Sequence, residues 1–345
     1  VFDGILDQVG GAGRGSFNHR FGQASRDTLQ HFNLLYPVDM FPFTDGAETD
    51  LENGVEDSLL HRARTSGTVP KFFHILTNSE YFNRAGSLVL TDPTGIRDTE
   101  IPDTSRVYSI AGAPHIVGRF PPAPNPDRSF LGRAPMNPLD YDPIVRALFR
   151  AMVLWVSQGT PPPASAHPRI ADGTLTSPEG ASWPAIPEFD IPHEPQTPRQ
   201  LDFGPKWEEG IADFEPPRTG KAYVVLVPAV DEDGNDRAGI RLPEIEVPLA
   251  THTGWNYRHP SIGAPERLAS EIGSYLPLPR TREDRERSAD PRKSIEERYP
   301  EQAAYLGRIT EAALRLLQRR YLLVEDLPGI IARARAHYQW ATRAE

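Results

Sequence analysis

The stretch VPKFFHILTNSEYFNRAGSL, residues 69–88, contains an apolar run followed by a polar turn that carries Glu80. Residues 69–77 are apolar on both faces and include a proline near their start, a pattern typical of a strand buried in a parallel sheet. The residues that follow, 80–90, predict the start of a helix. A polar turn at the carboxyl end of a buried strand places its side chains on one rim of the sheet.

A second unit of the same kind, SRVYSIAGAPH, spans residues 105–115 and ends in a small-residue turn that carries His115. A carboxylate after one strand and a histidine after the next is the order in which an α/β hydrolase supplies two residues of its triad. The carboxylate would orient the imidazole, which takes a proton from a hydroxyl nucleophile. The alternative interpretation is structural: Glu80 caps the following helix, and His115 is an ordinary loop residue.

Three further segments extend this pattern. Residues 1–12 predict a short strand that ends in glycines, and residues 54–66 predict a helix with Leu59, Leu60 and Ala63 on one face. A second helix, predicted over residues 138–158, has the clearest signal in the chain. Its apolar residues recur at helical spacing, its first turn contains a proline, and a glycine follows it. Buried strands alternating with helices predict a parallel α/β sheet, of which three strands are visible.

The second half of the chain has a different character. Residues 165–260 are rich in proline, with short apolar segments such as YVVLVPAV and IRLPEIEVPLA, which resemble strands. The tail is predicted to be helical over residues 294–319 and 324–342. Three regions are predicted. If Glu80 and His115 are hydrolase residues, residues 1–160 are the C-terminal half of an α/β-hydrolase domain. Residues 161–270 form a Pro-rich region that contains β-structure, and residues 271–345 form a helical C-terminal region.

The composition argues against several classes of function. A formal net charge of −10 disfavours a nucleic-acid surface, because phosphate binding needs a basic face. The chain has no cysteine, which excludes disulfides, thiolate catalysis and cysteine-based zinc sites. Residues 231–239, DEDGNDRAG, lack the glycine and the final acid of a calcium loop and predict a hairpin turn instead. The histidines show no ligand spacing, so neither a metal nor a cofactor is expected.

Targeting signals are also missing from the pattern. No apolar run approaches the roughly 18 residues of a membrane span. The first residues, VFDGILDQVGGAG, lack a basic segment and a long apolar core, so they do not resemble a signal peptide. They look like the inside of a domain, and we expect the N-terminal part of a larger protein to precede them. The composition does not identify a cellular compartment.

A serine nucleophile is not visible in the sequence. No serine has glycine at both the second preceding and the second following position, as the G-x-S-x-G motif requires. The glycine-rich segment GAGRGSFNHRF, residues 11–21, matches neither a P-loop nor a dinucleotide fingerprint. It predicts a turn from which Arg14, Asn18, His19 or Arg20 lines a pocket. Chain order therefore places the nucleophile N-terminal to Val1, on a preceding segment or on a second chain.

Several long strings of residues resemble a known family. These are VFDGILDQVGGAGRGSFNHRFGQASRD, YPVDMFPFTD, VPKFFHILTNSEYFNRAGSL, YSIAGAPH and AGIRLPEIEVPLATHTGWNYR. They resemble bacterial α/β-hydrolase-domain proteins, whose members include serine esterases and whose relatives include polyesterases. The similarity extends from Val1 to the C-terminus.

The resemblance implies a fold and a set of site residues. The first segment looks like the sixth strand of the hydrolase sheet, and residues 69–77 and 105–112 look like the seventh and eighth, so these would be the last three strands. Glu80 matches the acid of the family and His115 matches its base. The chain departs from the family pattern because it lacks the serine, the first five strands and the oxyanion loop.

The expected activity is that of a serine carboxylic-ester hydrolase acting by acyl transfer on a small-molecule or polymeric ester. The aromatic residues Phe32, Tyr36, Phe41 and Phe43 either form a wall for an apolar acyl group or pack their own loop down. Two alternatives are an inactive fragment or binding module that needs a partner chain to complete the sheet, and a carbohydrate-binding or periplasmic scaffold built on residues 165–345. Under the first alternative, three strands alone would expose a long hydrophobic sheet edge, which proteins avoid, so it predicts aggregation or an obligate partner that supplies the other strands.

Overall fold

The structure is a computed structural model that describes residues 2–12, 37, 39–50, 53–123 and 131–343. Its strands are β1 Gly4–Gln8, β2 Glu48–Thr49, β3 Glu56–Asp57, β4 Lys71–Thr77, β5 Ser105–Ile110, β6 Leu175–Thr176, β7 Arg199–Asp202, β8 Arg218–Ala222, β9 Val227–Pro228, β10 Ala250–His252 and β11 Tyr275–Pro277. Its α-helices are α1 His61–Thr65, α2 Asn78–Asn83, α3 Asp142–Gln158, α4 Pro243–Glu246, α5 Arg282–Ser288, α6 Ile295–Arg298, α7 Gln302–Gln318 and α8 Leu327–Ala341. Its 3₁₀ helices are Gly86–Val89, Pro178–Ala181, Trp207–Glu209, Pro260–Ile262 and Val324–Asp326.

A parallel three-stranded sheet of order β1–β4–β5 lies at the centre of the fold. The register pairs Ile5 with Phe72 in the first ladder and Leu76 with Ser109 in the second. Parallel pairing explains why β4 is apolar on both faces, since other elements cover each face of such a sheet. The three predicted strands are present with shorter bounds. Their position as the last strands of a larger sheet stays a prediction.

The Pro-rich region closes the β5 edge of the sheet. The amide of Ala166 donates to the carbonyl of Val107 at 3.0 Å, and the amide of Ser109 donates to the carbonyl of Ala166 at 2.8 Å. Ile240 then pairs with the last residues of β5: its amide donates to Ser109 O at 2.7 Å, and its carbonyl accepts from the Ala111 amide at 3.1 Å. These single-residue bridges bind residues beyond 160 to the sheet, and they have no periodicity by which the sequence could reveal them.

Helix α3 ends at residue 158, as the sequence predicts, but it begins at Asp142 instead of residue 138. Pro143 occupies its first turn, and Gly159 ends it with a φ of 70°, the left-handed conformation that glycine adopts without a steric cost. Its inner face buries Leu148 and Trp155 against the sheet, with the Trp155 ring stacked 5.7 Å from that of Phe73. The same apolar core continues into the C-terminal helices.

The opposite edge of the sheet is open among the described residues, because β1 pairs only with β4. Beside it, the outer face of α3 exposes Phe149, Val153 and Val156, with exposed fractions of 60%, 47% and 40%. Their spacing of four and three residues places them in one stripe. An open strand edge next to an apolar helical stripe is typical of a surface that another segment covers.

The predicted C-terminal helices are confirmed with one interruption. Residues 294–319 form two helices, α6 and α7, because Pro300 follows Tyr299, and a residue before proline is driven out of the helical region. The ψ of Tyr299 is 106°, an extended value. Tyr305 and Ile309 of α7 are fully buried, as the predicted apolar stripe requires.

Two predictions of local structure are wrong. The helix predicted over residues 54–66 is limited to α1, since Gly54 has a φ of 71° and β3 pairs with β2 in a short antiparallel ladder. The second strand-like run, IRLPEIEVPLA, contains helix α4, with Pro243 in its first turn, and only its end joins strand β10. The turn between the two runs is confirmed, because Val230 and Asp236 form an antiparallel bridge around Gly234, whose φ is 74°.

The loop before β2 is attached to the sheet by a buried ion pair. His74 on β4 is 3% exposed, and its Nε2 lies 3.0 Å from Oδ2 of Asp45. Asp7, the β1 neighbour of His74, approaches Nδ1 at 3.8 Å and acts through its charge. Burial lowers the pKa of His74, but the hydrogen bond to Asp45 and the two negative charges outweigh it and raise the pKa to about 9.

This pair predicts a pH-dependent stability. A histidine with a raised folded-state pKa contributes stability that is complete below about pH 6.5 and is lost as the pH rises through about 9. We expect His74→Gln to lower the free energy of unfolding by about 3 kcal/mol at pH 6 and by much less at pH 9.5. Urea unfolding at both values measures the difference. The control is His61→Gln at an exposed histidine, which should change the free energy of unfolding little at either pH. An equal effect of His74→Gln at both pH values would contradict the prediction.

Candidate functional site

Glu80 is fixed at the carboxyl end of β4 by a capping box. Thr77 ends the strand and caps helix α2, and both its amide and its hydroxyl donate to Oε2 of Glu80 at 2.6 Å. The sequence T-x-x-E is the pattern of this motif, in which one carboxylate satisfies donors at the helix start. Glu80 has no exposed surface. The cap therefore positions the Glu80 carboxylate independently of any contact with a histidine.

The other oxygen of the same carboxylate contacts His115. Nδ1 of His115 lies 2.9 Å from Oε1 of Glu80, and the Tyr141 hydroxyl donates to the His115 carbonyl at 3.1 Å. Burial lowers the pKa of His115, but the hydrogen bond to Glu80 and the charges of Glu80 and Glu271 raise it above its usual value. The structure thus brings the two predicted residues together. Helix capping and the histidine contact coexist, because they use different oxygens of one carboxylate.

The turn that carries His115 requires a glycine. Gly112 has a φ of +65°, and a Cβ there would lie 2.8 Å from Cδ1 of Ile245 and 2.9 Å from the carbonyl oxygen of His252. Both the left-handed backbone and the close approach exclude a side chain. The His115 turn is therefore packed directly against residues that follow β5 by more than a hundred positions.

A buried carboxylate joins the two strand ends. Asp236 accepts hydrogen bonds from Nδ2 of Asn78 at 2.9 Å and from the amide of Gly112 at 2.8 Å. Burial raises the pKa of Asp236 to about 6, against the lowering effect of these two donors. Oδ1 of Asn78 in turn accepts from the amide of Gly254 at 2.6 Å. A Cβ on Gly254 would lie 2.0 Å from the amide nitrogen of Ser79, so only glycine fits against α2.

A second buried amide uses its full hydrogen-bonding capacity. Nδ2 of Asn137 donates to the carbonyls of Gly112 and Thr253, both at 2.8 Å. Its Oδ1 accepts from the amide of Leu139 at 3.0 Å and lies 2.8 Å from Nδ1 of His252. An asparagine side chain has two donors and two acceptor positions, so all four are satisfied. This residue connects the His115 turn to strand β10 and to the segment before α3.

The Nε2 side of His115 has a second carboxylate nearby. Oε2 of Glu271 lies 3.9 Å from Nε2, while Oε1 of Glu271 accepts from Nη2 of Arg84 at 2.7 Å. In the described part of the chain no hydroxyl group forms a hydrogen bond with the imidazole ring of His115. Sequence reasoning missed Glu271, Arg84, Asn137 and Asp236, and no motif or spacing marks any of them.

The remaining sequence candidates divide into two groups. Phe41 and Phe43 pack into a small core against Tyr223, with ring centroids of Phe43 and Tyr223 5.0 Å apart, which is the packing alternative for this loop. The pocket candidates Arg14, Asn18, His19 and Arg20, together with Phe32 and Tyr36, lie outside the described residues. Within the described ranges, no three histidine, aspartate or glutamate residues form a group that could hold a metal ion. No helix in these ranges is both long enough and apolar enough to cross a membrane.

The Asn137 contacts predict a large stability loss on substitution. Asn137→Ala leaves two carbonyls, one amide and one imidazole nitrogen buried without their partner, and each costs about 1–3 kcal/mol. We expect the free energy of unfolding to fall by at least about 3 kcal/mol, as measured by urea denaturation. The exposed Asn53, whose Oδ1 accepts from the Val55 amide at 2.9 Å, is the control, and Asn53→Ala should cost less than about 1 kcal/mol. Equal losses for the two variants would contradict this account.

Comparison with known proteins agrees with the geometry. A family model described as an alpha/beta hydrolase domain matches residues 1–332. No curated protein and no solved structure matches the chain. The match covers the parallel sheet, the strand ends with Glu80 and His115, and the downstream segments that close the β5 edge. This chain belongs to the α/β-hydrolase-domain family.

Proposed function

We propose that this chain supplies the acid and the base of a serine carboxylic-ester hydrolase, with a small-molecule or polymeric ester as its substrate. The observation that supports this most directly is the 2.9 Å contact between Nδ1 of His115 and Oε1 of Glu80. The two residues follow adjacent parallel strands at their carboxyl ends, which is where enzymes of this architecture place catalytic side chains.

The contact selects the tautomer that the reaction needs. With the proton on Nδ1 donated to Glu80, the lone pair of Nε2 is free to accept a proton from a hydroxyl group. A serine oxygen then attacks the ester carbonyl carbon as His115 takes the serine proton. The tetrahedral intermediate collapses when His115 returns that proton to the departing alcohol. Water repeats the sequence on the acyl-enzyme and releases the acid.

The serine is proposed to lie on a segment of polypeptide that precedes Val1 and continues the sheet beside β1. Support comes from the open edge of β1 and from the apolar stripe of Phe149, Val153 and Val156 next to it. A strand paired to β1 would satisfy the free backbone groups, and a helix following that strand would cover the stripe. The turn between that strand and helix would bring its serine to the rim that carries Glu80 and His115.

This function predicts a strong dependence on both residues. We expect His115→Ala to lower kcat/KM for p-nitrophenyl esters by at least about 10³-fold, since the general base is lost. Glu80→Gln should lower it by about 10² to 10⁴-fold, because the ring loses its anionic partner while one oxygen remains for the Thr77 cap. The measurement uses the protein that includes the residues preceding Val1, with esters of graded acyl length.

The control and the contradicting outcomes are specific. His259 forms a surface contact with the Ser261 hydroxyl at 2.8 Å, so His259→Ala removes a histidine–serine pair outside the site and should leave activity unchanged. A fluorophosphonate should attach once, to a serine before Val1, and intact-mass and peptide-mass spectrometry locate it. Attachment to a serine of this chain, such as Ser16 in the glycine-rich segment of residues 11–21, would refute the proposed position of the nucleophile. Full activity of His115→Ala would refute the mechanism, and absence of labelling and hydrolysis would leave a binding module as the function.

A further inference from the structure

Glu271 is attached to the backbone of the His115 turn. Its carbonyl accepts from the amide of Ile116 at 3.0 Å, and Ile116 forms a parallel bridge with Ile272. The side chain of Glu271 is only 5% exposed. The backbone of residues 271 and 272 is therefore paired with the residue next to His115, and the burial of the Glu271 side chain restricts its carboxylate.

Arg84 fixes the direction of the carboxylate. It lies at the C-terminus of α2, where its amide donates to the carbonyl of Glu80 at 2.9 Å. Its guanidinium donates a hydrogen bond to Oε1 of Glu271 at 2.7 Å, and the other oxygen, Oε2, lies 3.9 Å from Nε2 of His115. Helix α2 thus positions a carboxylate near each ring nitrogen of His115. Glu80 contacts Nδ1 directly at 2.9 Å, and Arg84 holds Glu271 so that its Oε2 lies 3.9 Å from Nε2.

The backbone of Glu271 is held in a costly conformation. Its φ of 61° lies in the left-handed region, which costs a non-glycine residue about 1–3 kcal/mol and persists only where surrounding contacts determine it. The contacts that hold Glu271 are the backbone bond from Ile116 and the ion pair with Arg84, and together they place Oε2 3.9 Å from Nε2 of His115.

We propose that Glu271, fixed by Arg84, is a second positioning carboxylate of this site, which stabilises the protonated form of His115 from the Nε2 side. The inference rests on the proposed function. When His115 takes the serine proton, the positive charge of the ring lies close to Oε2 of Glu271, which is 3.9 Å from Nε2, and this negative charge favours the imidazolium. The positive charge of Arg84 opposes this effect and lowers the pKa of His115.

The charged groups around the His115 ring predict that substitutions of Glu271 and Arg84 shift the pKa of His115 in opposite directions. They are Glu80 and Arg84 at the two ends of α2 and Glu271 on the facing loop, while the Tyr141 hydroxyl reaches only the backbone carbonyl of His115. Glu271→Gln removes a negative charge near Nε2 and should lower the pKa of His115. Arg84→Gln removes the opposing positive charge and should raise it. A purely structural ion pair predicts loss of stability for both variants and no such pair of signs.

The test is a pH titration of the His115 ring by NMR, with histidine-labelled protein and the signal identified by its absence in His115→Gln. Glu48→Gln is the matched control, since Glu48 is also buried and also pairs with an arginine, Arg97, at 2.6 Å. We expect Glu271→Gln to move the midpoint to lower pH, Arg84→Gln to move it to higher pH, and Glu48→Gln to leave it in place. Because the two site variants shift in opposite directions, one that fails to fold does not remove the test.

The outcomes separate this inference from the proposed function. An unchanged midpoint in Glu271→Gln, or a shift equal to that of Glu48→Gln, overturns the role of Glu271 even if the protein hydrolyses esters. In an active protein, the acid limb of the kcat/KM profile should follow the NMR midpoint in each variant. A midpoint that shifts as expected in a protein without hydrolase activity supports the contact between Glu271 and His115 and overturns the ester hydrolase.

Discussion

The site depends on a buried polar junction beneath the His115 turn. Asn137 and Asp236 come from distant parts of the chain, and both bind the backbone of Gly112, one at its carbonyl and one at its amide. Polar groups in a low-dielectric interior are costly unless each has a partner, so the loss of one of these residues leaves the others with unsatisfied hydrogen-bonding groups. The turn is thereby fixed by residues that make no contact with the imidazole, and segments far beyond the sheet become necessary for the geometry of the site.

Glu80 is held by a different and local mechanism. One oxygen belongs to the capping box with Thr77, and the other belongs to His115. Because the cap fixes the carboxylate, little side-chain entropy remains to be lost when the imidazole binds. The two sides of the contact are therefore positioned independently: the carboxylate by the local T-x-x-E pattern and the histidine by a long-range network. A rigid pair of this kind is what a reaction with a strict proton-transfer geometry requires.

The sheet is asymmetric in a way that accords with both the family and the proposed serine. Ala166 and Ile240 close the β5 edge from the C-terminal side, and the family match extends to residue 332, through the helices that cover the same core. The β1 edge has no such cover among the described residues, and the stripe of Phe149, Val153 and Val156 lies beside it. The region after residue 160 is thus an integral part of the sheet at its β5 edge. The β1 edge is the surface on which the segment with the proposed serine would pack.

The sequence by itself determined the elements whose signal is periodic or local. The apolar runs gave β4 and β5, the spacing of apolar residues gave α3, and the positions of Glu80 and His115 after their strands gave the candidate pair. Residues 54–66 show the limit of that signal, because tertiary pairing of β2 with β3 overrode a weak helical pattern. Only the tertiary structure decided the roles of Asn137, Asp236, Arg84 and Glu271. Their contacts span up to 187 positions along the chain, and a side chain that acts at such a distance leaves no period or motif in its own neighbourhood.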